Sequence, residues 1–260
     1  MTNRVICISL NASGSKFDSE IVYYDGISYT NDGVLISPMI KQNPDEIKDS
    51  DGEWLLIVRD REGLNVHTDM YGYYTVFYSV IESEKGSFLA LSDNFSSICS
   101  LVNSYNSVEI DESYCLPILA SFTPFFNTSH SLKTSHLLVK KLAPLQKIKI
   151  CNGAYSLEED YEFDKYQGLS YDELLSFGIE SISRKYSSFV KENYEPVFYL
   201  SGGKDSRACL AACKPEQSSG YFFSQNPNNY PISSQSMIQD DYNIAADLAE
   251  KIGLKRFVKG

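Results

Sequence analysis

The sequence predicts a mixed fold, an α+β region followed by an α/β region. Up to about residue 150, short runs of β-branched and aromatic residues alternate with Gly, Asn, Asp and Ser, which is typical of a mainly antiparallel, strand-rich domain. From Ser170 the apolar residues recur every three or four positions, as on an amphipathic helix. Apolar strands and helical segments then alternate, and this order predicts parallel strands joined by right-handed crossovers.

The expected strands of the first region are each about the length of an ordinary strand. They are Arg4–Leu10, Ile21–Tyr24, Trp54–Arg59, Leu64–Thr68, Tyr73–Val80, Phe88–Leu91 and Lys147–Ile150. Dipeptides that end in glycine separate several of them, and Asn152-Gly153 is one, because both residues tolerate the positive φ of a tight hairpin turn.

The second region begins with a capping box at Ser170-Tyr-Asp-Glu173, which predicts the start of a helix. Further strands are expected at Val197–Leu200, Tyr221–Phe223 and Arg256–Val258, and further helices at Arg207–Cys213 and Asp241–Ile252. The polar stretch Ser224–Ser236 is predicted to be a long loop beyond the carboxyl end of a strand, where open α/β sheets bind ligands.

Composition and charge exclude several classes of protein. Hydrophobic residues make up 43% and charged residues 22% of the 260 residues, which excludes disorder and coiled coil as the main class. The net charge of −11 argues against nucleic acid as a partner, because such binding needs a surplus of Lys and Arg. No apolar run reaches the ~18 residues that span a membrane. We therefore expect a cytoplasmic protein with no membrane partner.

Cysteine and histidine do not predict a metal centre. The six cysteines form no Cys-x-x-Cys pair, and they are expected to be reduced and mostly buried. Cys7 alternates with Val5 and Ser9 in an apolar strand, which predicts a buried structural thiol. The three histidines, His67, His130 and His136, lack metal-ligand spacing.

The strongest functional signal is a six-residue segment between a buried strand and a helix start, called here the 201–206 motif. It consists of Ser201, Gly202, Gly203, Lys204, Asp205 and Ser206. Two glycines let the backbone approach an anion, the serines add hydroxyl donors, and the helix N-terminus favours negative charge. A carboxylate at Asp205 would repel phosphate unless it held a divalent cation such as Mg²⁺. An isolated Gly-Gly is often only a flexible turn, but the flanking strand and helix favour a nucleotide site, and the spacing is not that of a Walker loop.

This motif resembles the pyrophosphatase loop of the asparagine-synthetase-like ATP-dependent ligases. Residues 66–78 are similar to that family's Arg-Asp-x-x-Gly-x-x-Pro-Leu-Tyr-Tyr strand pair, and Leu91-Ser-Asp93 resembles the segment that follows it. Residues 142–146 are similar to its Leu-x-Pro-Gly turn, with Leu145 in the place of the glycine, and residues 241–253 resemble its helix after the second synthetase strand.

The resemblance implies two domains. Residues 1–160 would be a degenerate class II glutamine amidotransferase-like domain with an αββα, N-terminal-nucleophile-hydrolase-like sandwich. Residues 168–260 would be the N-terminal part of an ATP-pyrophosphatase domain with a parallel sheet. The family's glutaminases use a cysteine at position 2, where this chain has Thr2. Their Asn-Gly-Glu motif is also missing, its nearest counterpart being Asp32-Gly33-Val34. We therefore expect an inactive glutaminase half.

The implied activity is carbon–nitrogen ligation, as in the similar β-lactam synthetases and lasso-peptide cyclases. A small-molecule or peptide carboxylate would attack the α-phosphorus of ATP to give an acyl-adenylate and pyrophosphate, and an amine donor would then attack the acyl carbon. ATP and Mg²⁺ are the implied ligands, with Asp205 holding the metal and Leu200, Phe223 and Ser224 next to the adenosine. Lys204 is either solvated or in contact with phosphate, and no catalytic residue is assigned.

Two other functions stay open. The stop at Gly260 motivates a non-catalytic nucleotide-binding or scaffolding subunit. An adenylating sulfur-transfer or tRNA-modifying enzyme would use a similar loop, but the acidic charge and the lack of a cysteine pair weigh against it. The oligomeric state is open, with a homodimer as one option.

Overall fold

The computed structural model divides the chain into two compact units. The first contains Met1–Ser28 and Leu35–Glu162, and the second contains Tyr29–Val34 and Phe163–Gly260. The structure describes residues 4–11, 19–29, 34–36, 44–48, 50–84, 86–120, 132–160, 166–191, 197–212, 220–229, 231–254 and 257–259. The predicted mixture of helices with antiparallel and parallel strands is confirmed.

The described part of the first unit contains strands in two sheets, together with helices. The strands are β1 (Ile6–Ser9), β2 (Ser19–Tyr29), β3 (Val34–Ile36), β4 (Asp51–Asp60), β5 (Leu64–Thr68), β6 (Phe77–Ile81), β7 (Phe88–Ser92), β8 (Lys140–Lys141), β9 (Gln146–Cys151) and β10 (Ala154–Glu159). The helices are α1 (Pro44–Lys48), α2 (Phe95–Tyr105) and α3 (Glu112–Ala120). One sheet has the order β1-β7-β6-β8 and the other β10-β9-β5-β4-β2-β3.

Hairpin chemistry explains part of this order. β9 and β10 pair antiparallel through the two-residue turn Asn152-Gly153, and both turn residues have positive φ, 51° and 81°. Tight hairpins need this backbone, which Asn and Gly adopt at little cost. The turn predicted from the sequence therefore sets the register of Cys151 against Ala154.

Three apolar clusters arrange the first unit in layers. The largest joins residues of β4, β5 and β9 in one sheet to residues of β6 and β7 in the other, so it fills the space between the two sheets. Ile47 of α1 packs with Trp54 and Leu56 of β4 in a second cluster. Ile98 and Val102 of α2 pack with Ile81 and Ala90 in a third. Because strand side chains alternate between faces, the helices cover the outer faces of the sheets.

The turn between β5 and β6 is held by a buried carboxylate. Asp69 accepts hydrogen bonds from the backbone N–H of Tyr71 (3.1 Å), Tyr73 (2.9 Å) and Tyr74 (2.7 Å). Its side chain is fully buried. Three donors to one carboxylate fix the path of the chain from one sheet to the other.

Leu145 lies in the left-handed region, with a φ of 64°. An L-residue is strained there, and glycine is the usual occupant. The chain therefore holds a backbone conformation here that the leucine side chain opposes. The turn also anchors the end of the unit, since the Asp160 N–H donates to the Leu145 carbonyl at 2.9 Å.

Two histidines are buried and hydrogen-bonded. His67 Nδ1 lies 2.7 Å from Asp160 Oδ2, and both side chains are buried. His136 Nδ1 accepts from the Leu138 N–H at 3.2 Å, and its Nε2 lies 2.9 Å from Asn103 Oδ1. His130 lies outside the described residues.

The second unit holds a small parallel sheet. Its elements are α4 (Tyr171–Lys191), β11 (Val197–Tyr199), α5 (Lys204–Ala212), β12 (Tyr221–Ser224), a 3₁₀ turn (Pro227–Asn229), α6 (Ile232–Lys251) and β13 (Phe257–Lys259). The strand order is β11-β12-β13, and both pairings are parallel, as predicted. Leu210 of α5 and Ala245 and Ala249 of α6 pack on Leu200 and Phe222.

The predicted capping box is present at the start of α4. The Ser170 N–H donates to Glu173 Oε2 at 2.7 Å, and the Glu173 N–H donates back to Ser170 Oγ at 3.4 Å.

Two sequence predictions are wrong. Residues 224–236 are not one long loop, because the 3₁₀ turn and the start of α6 lie within them. Cys7 is exposed, since Ile8 points into the core and the alternation turns Cys7 to the other face of β1, an edge strand. Cys209 is also exposed, and Cys99, Cys115 and Cys151 are half-buried. Cys213 lies outside the described residues.

Candidate functional site

The 201–206 motif lies at the carboxyl edge of the parallel sheet. β11 ends at Tyr199, and α5 begins at Lys204, so the motif spans the turn and the first residues of the helix. The Leu200 N–H donates to the Phe223 carbonyl at 2.8 Å, which keeps the end of β11 against β12. The motif lies between a strand and a helix, as the sequence predicts. The strand is not buried as predicted, since Val197 is 64% and Tyr199 is 41% exposed.

Serine hydroxyls close the motif into a compact turn. Ser206 Oγ accepts from the Ser201 N–H at 3.1 Å and lies within hydrogen-bond distance of the carbonyls of Ser201 (3.1 Å) and Gly203 (3.2 Å). Ser201 Oγ accepts from the Gly203 N–H at 3.1 Å and lies 3.1 Å from Ser206 Oγ. The two serines therefore hold the backbone of Gly203 at the N-terminus of α5.

Gly202 packs against α6. A β-carbon at this position would lie 2.6 Å from Asp241 Oδ1 and 3.0 Å from Ile244 Cδ1. A larger residue at this position would therefore need the side chains of Asp241 and Ile244, or the motif itself, to shift. The sequence did not indicate that Asp241 lies at the motif, because the contact joins segments far apart in the chain, and only the positions of the helix and the turn in space bring them together.

Asp205 lies in the first turn of α5 and is exposed. Within the described ranges its carboxylate has no hydrogen-bond or ion-pair partner, so both oxygens are available to a cation. Lys204 is exposed as well. In that same part of the chain, no group of three or more His, Cys, Asp or Glu could hold a metal by protein ligands alone. The single exposed carboxylate of Asp205 is compatible with Mg²⁺, which commonly takes one or two carboxylates and completes its shell with phosphate oxygens and water.

Ser224, at the carboxyl end of β12, has a buried hydroxyl near the motif. It ends β12 and is 1% exposed, and its hydroxyl has no hydrogen-bond partner among the described residues. It shares a sheet face with Phe222, the face that α6 covers, because side chains two apart along a strand point the same way. Leu200 is also buried on this face, whereas Phe223 alternates to the opposite face and is partly exposed. The predicted adenosine neighbours therefore do not share one face.

The candidate glutaminase residues are mostly not observed. Thr2, Asn3, Asp32 and Gly33 lie outside the described residues.

Tyr74 of the first unit donates from its hydroxyl to Asp25 Oδ2 at 2.8 Å, and burial together with this carboxylate raises the pKa of Tyr74. The phenol thus stays protonated at neutral pH and acts as a donor, not as a base.

Comparison with known proteins does not identify a family. The chain matches no known protein-family model, and a search of curated proteins gave no match. The structure also contains no described helix that is long and apolar enough to cross a membrane.

Proposed function

We propose that the 201–206 motif binds the phosphates of Mg-ATP, in an ATP-dependent carbon–nitrogen ligase of the asparagine-synthetase-like type. The observation that carries the proposal is the set of polar groups at one edge of the parallel sheet. Among the described residues the carboxylate of Asp205 and the buried hydroxyl of Ser224 have no partner, and serine hydroxyls fix the backbone at Gly203.

Electrostatics explain why these groups suit a triphosphate. The N-terminus of a helix carries roughly half a positive charge, and α5 starts inside the motif. Ser201, Gly203 and Ser206 hold one another in a compact turn, so an anion that binds through these donors would replace the internal hydrogen bonds with bonds to phosphate. Asp205 would hold Mg²⁺, whose charge offsets the repulsion between the carboxylate and the phosphates.

The proposed reaction activates a carboxylate. The substrate carboxylate attacks the α-phosphorus of ATP, the bond to the β-phosphate oxygen breaks, and pyrophosphate leaves. An amine then attacks the acyl carbon and displaces AMP. Within this chain the 201–206 motif would bind the departing pyrophosphate, where negative charge accumulates.

Two features of the first unit support its assignment as a degenerate amidotransferase-like domain. Helices lie on the outer faces of two facing antiparallel sheets, an order of layers compatible with an N-terminal-nucleophile-hydrolase-like sandwich. Leu145 keeps a left-handed backbone where the resembling family has glycine. Because Thr2 replaces the cysteine nucleophile, we infer that nitrogen comes from ammonia or an amine-bearing substrate, not from glutamine.

The metal role of Asp205 is tested by titrating Mg-ATP into the wild type and into Asp205→Asn by calorimetry. We expect the affinity for Mg-ATP to fall at least tenfold in the variant. Asp240→Asn is the matched control, because Asp240 is also exposed and lies on a helix of the same unit. Equal Mg-ATP affinity in wild type and Asp205→Asn would refute the site.

Ligase chemistry is tested by measuring pyrophosphate and glutamate separately, with candidate carboxylic acids and with glutamine or ammonia as nitrogen source. We expect pyrophosphate with ammonia and no glutamate from glutamine. Glutamate formed in step with pyrophosphate, and lost in Thr2→Ala, would show an active glutaminase. Binding of Mg-ATP without pyrophosphate from any acid would favour the scaffolding alternative.

A further inference from the structure

β10 (Ala154–Glu159) forms one edge of the six-stranded sheet of the first unit. Among the described strands it pairs with β9 alone, because the sheet has the order β10-β9-β5-β4-β2-β3. An edge strand carries a row of backbone N–H and C=O groups that its own sheet does not use, and such a row can pair with another chain. The side of β10 away from β9 therefore has the backbone groups that a further strand needs.

The hairpin register shows which backbone groups of β10 are unused. In a hairpin with a two-residue turn, the residues on either side of the turn exchange both hydrogen bonds, and here they are Cys151 and Ala154. The pattern alternates along the pair and keeps its phase beyond β10, since the Asp160 N–H donates to the Leu145 carbonyl at 2.9 Å. Three residues therefore direct their backbone N–H and C=O groups to the free edge, namely Tyr155, Leu157 and Glu159.

A groove of about 700 Å³ lies beside this edge. The three residues share one face of β10. This face is turned toward the other sheet, because the ring centroid of Tyr155 lies 6.3 Å from that of Tyr78. Leu157 and Tyr78 line the groove on this side, and Leu132 and Leu137, in the segment that precedes β8, line it on the other. Alternate side chains of a strand paired with β10 would point into the groove.

The two walls of the groove are apolar and exposed. Leu157 on one wall is 43% exposed, and Leu132 and Leu137 on the other are 46% and 52% exposed. The second wall is tied to β8, because the Lys141 N–H donates to the Leu132 carbonyl at 3.1 Å. A side chain inserted between the walls would remove apolar surface from water. The groove therefore suits an aliphatic side chain.

The charge at the edge of β10 favours a basic residue in the added strand. Glu159 is exposed, and it has no ion-pair or hydrogen-bond partner in the described part of the chain. Glu158 alternates to the other face and pairs with Lys147 at 3.6 Å. Lys140 shares the inter-sheet face through its pairing with Tyr78, but it belongs to β8 and not to this edge. Because opposite charges stabilise cross-strand pairs, Lys or Arg fits opposite Glu159.

The groove favours a single extended chain over a folded second copy. An added strand lies about 4.8 Å from β10, and the leucine wall before β8 then covers its inner side chains. A second copy that paired through its own β10 would also bring its β9 to this side, about 10 Å from the edge. The strand would then have a sheet beside it where this groove has the leucine wall.

We propose that β10 binds an extended peptide of a partner protein as an additional antiparallel strand. The peptide has a basic residue opposite Glu159 and aliphatic residues opposite Leu157 and Tyr155, so its pattern from N- to C-terminus is basic-x-aliphatic-x-aliphatic. Its backbone pairs with the free N–H and C=O groups of these three residues, and its aliphatic side chains enter the groove. The proposal concerns the first unit and does not depend on nucleotide binding in the second.

Fluorescence anisotropy with a labelled Thr-Lys-Thr-Leu-Thr-Val-Thr amide tests the strand pairing. We expect saturable binding, and a peptide with Glu in place of Lys should bind about fivefold more weakly. N-methylation of the Leu, whose N–H faces the Leu157 carbonyl, should weaken binding at least tenfold. N-methylation of the Thr that follows it, whose N–H faces away from β10, is the matched control and should weaken binding less than threefold. Equal effects of the two methyl groups, or no saturable binding, would overturn the proposal.

Substitutions locate the peptide. Leu157→Ser and Leu137→Ser should each weaken binding at least fivefold, and Leu119→Ser is the matched control, because Leu119 is 81% exposed and does not line the groove. Glu159→Lys should reverse the preference, so that the Glu peptide binds more tightly than the Lys peptide. An unchanged preference would contradict the register. Thermal unfolding of each variant checks its folding.

Sedimentation velocity distinguishes the peptide from a second copy of the chain. We expect wild type and Leu157→Ser to sediment alike, because the edge is open in the free protein. A wild-type dimer that Leu157→Ser dissociates would show that a second copy covers β10, and it would overturn the assignment to a peptide.

Discussion

Two turns of this protein combine aspartate with glycine, and they use the carboxylate in opposite ways. In the first unit Asp69 is fully buried, and its two oxygens accept three backbone N–H groups of the turn that contains Gly72. In the second unit Asp205 follows Gly202 and Gly203, is exposed, and has no partner in the described structure. Here serine hydroxyls, not the carboxylate, hold the turn.

The difference separates a structural carboxylate from an available one. A buried carboxylate must have its hydrogen bonds satisfied, and the three N–H groups of the turn satisfy those of Asp69, so this carboxylate has a structural role. An exposed carboxylate at a helix N-terminus is free for another partner. Residue composition alone does not distinguish the two turns. What distinguishes them is the number of backbone N–H groups that donate to the carboxylate.

The largest expected effect is the loss of stability on removing the buried carboxylate. Asp69→Ala leaves the N–H groups of Tyr71, Tyr73 and Tyr74 without their acceptor, and we expect the free energy of unfolding to fall by about 3 kcal/mol. Asp205→Ala should change it by less than about 0.5 kcal/mol. Urea denaturation followed by circular dichroism measures both. Similar losses in the two variants would break the comparison.

The next largest effect is expected from a larger side chain at Gly202, which should weaken the binding of Mg-ATP. Gly202→Ala places a methyl group 2.6 Å from Asp241 Oδ1, so the Asp241 side chain or the motif must shift. We expect the affinity for Mg-ATP to fall at least tenfold, with partial recovery when Asp241→Ala is added. Gly178→Ala is the control, because its β-carbon meets no atom within 4 Å in α4, and a helical alanine should stabilise by roughly 0.5–1 kcal/mol. Unchanged Mg-ATP affinity in Gly202→Ala would show that the contact is not needed.

The capping box at the start of α4 contains a third kind of carboxylate, that of Glu173, which is exposed but accepts hydrogen bonds from Ser170. The hydrogen bond from the Ser170 hydroxyl, followed by that from its N–H, lowers the pKa of Glu173 below its ordinary value. Because the folded pKa is the lower one, the stabilisation is full above pH 4.5 and disappears as the pH falls through the lowered value. Ser170→Ala should cost about 1 kcal/mol at neutral pH.

Urea denaturation of wild type and Glu173→Gln across pH 3–7 tests whether the stabilisation by the Glu173 carboxylate is lost in acid. The difference in unfolding free energy should shrink in acid, where the wild-type carboxylate is protonated. A difference that grows in acid would contradict the assignment. Asp172→Asn, in the same helical turn, controls for loss of charge alone.

An effect as small as that of the capping box is expected at Leu145. Leu145→Gly and Leu145→Ala remove nearly the same side-chain contacts, but only glycine relieves the strain of a φ of 64°. The glycine variant should therefore be more stable than the alanine variant by about 1 kcal/mol. The same urea titration measures this, and equal stabilities would mean that the turn relaxes to another conformation.

Local pattern predicted much of the fold. β5 was expected at Leu64–Thr68 and has those bounds, because its apolar run is bordered by clear turn residues. α2 was missed, since only Ile98 and Val102 of this serine-rich helix are buried and the pattern is too short to stand out. The sequence predicts a loop over the first turns of α6 for a related reason. They are polar, and Ile238 is their single buried apolar residue among those described.

At the candidate site, too, the sequence predicts some features and packing between distant segments determines the others. The order of Ser, Gly, Lys and Asp in the 201–206 motif predicted its position between strand and helix. The contact between Gly202 and Asp241 and the unpartnered hydroxyl of Ser224 depend on packing between distant segments, so no sequence pattern indicates them.

Trp54, fully buried among the residues that α1 covers, is the only tryptophan of the chain. Light absorbed selectively by indole therefore reports on the first unit, while the second is invisible at that wavelength. A denaturation curve followed by indole emission and one followed by peptide absorbance would coincide only if both units unfold together. Any gap between the two curves would give the stability of the second unit separately, without a label or a truncated chain.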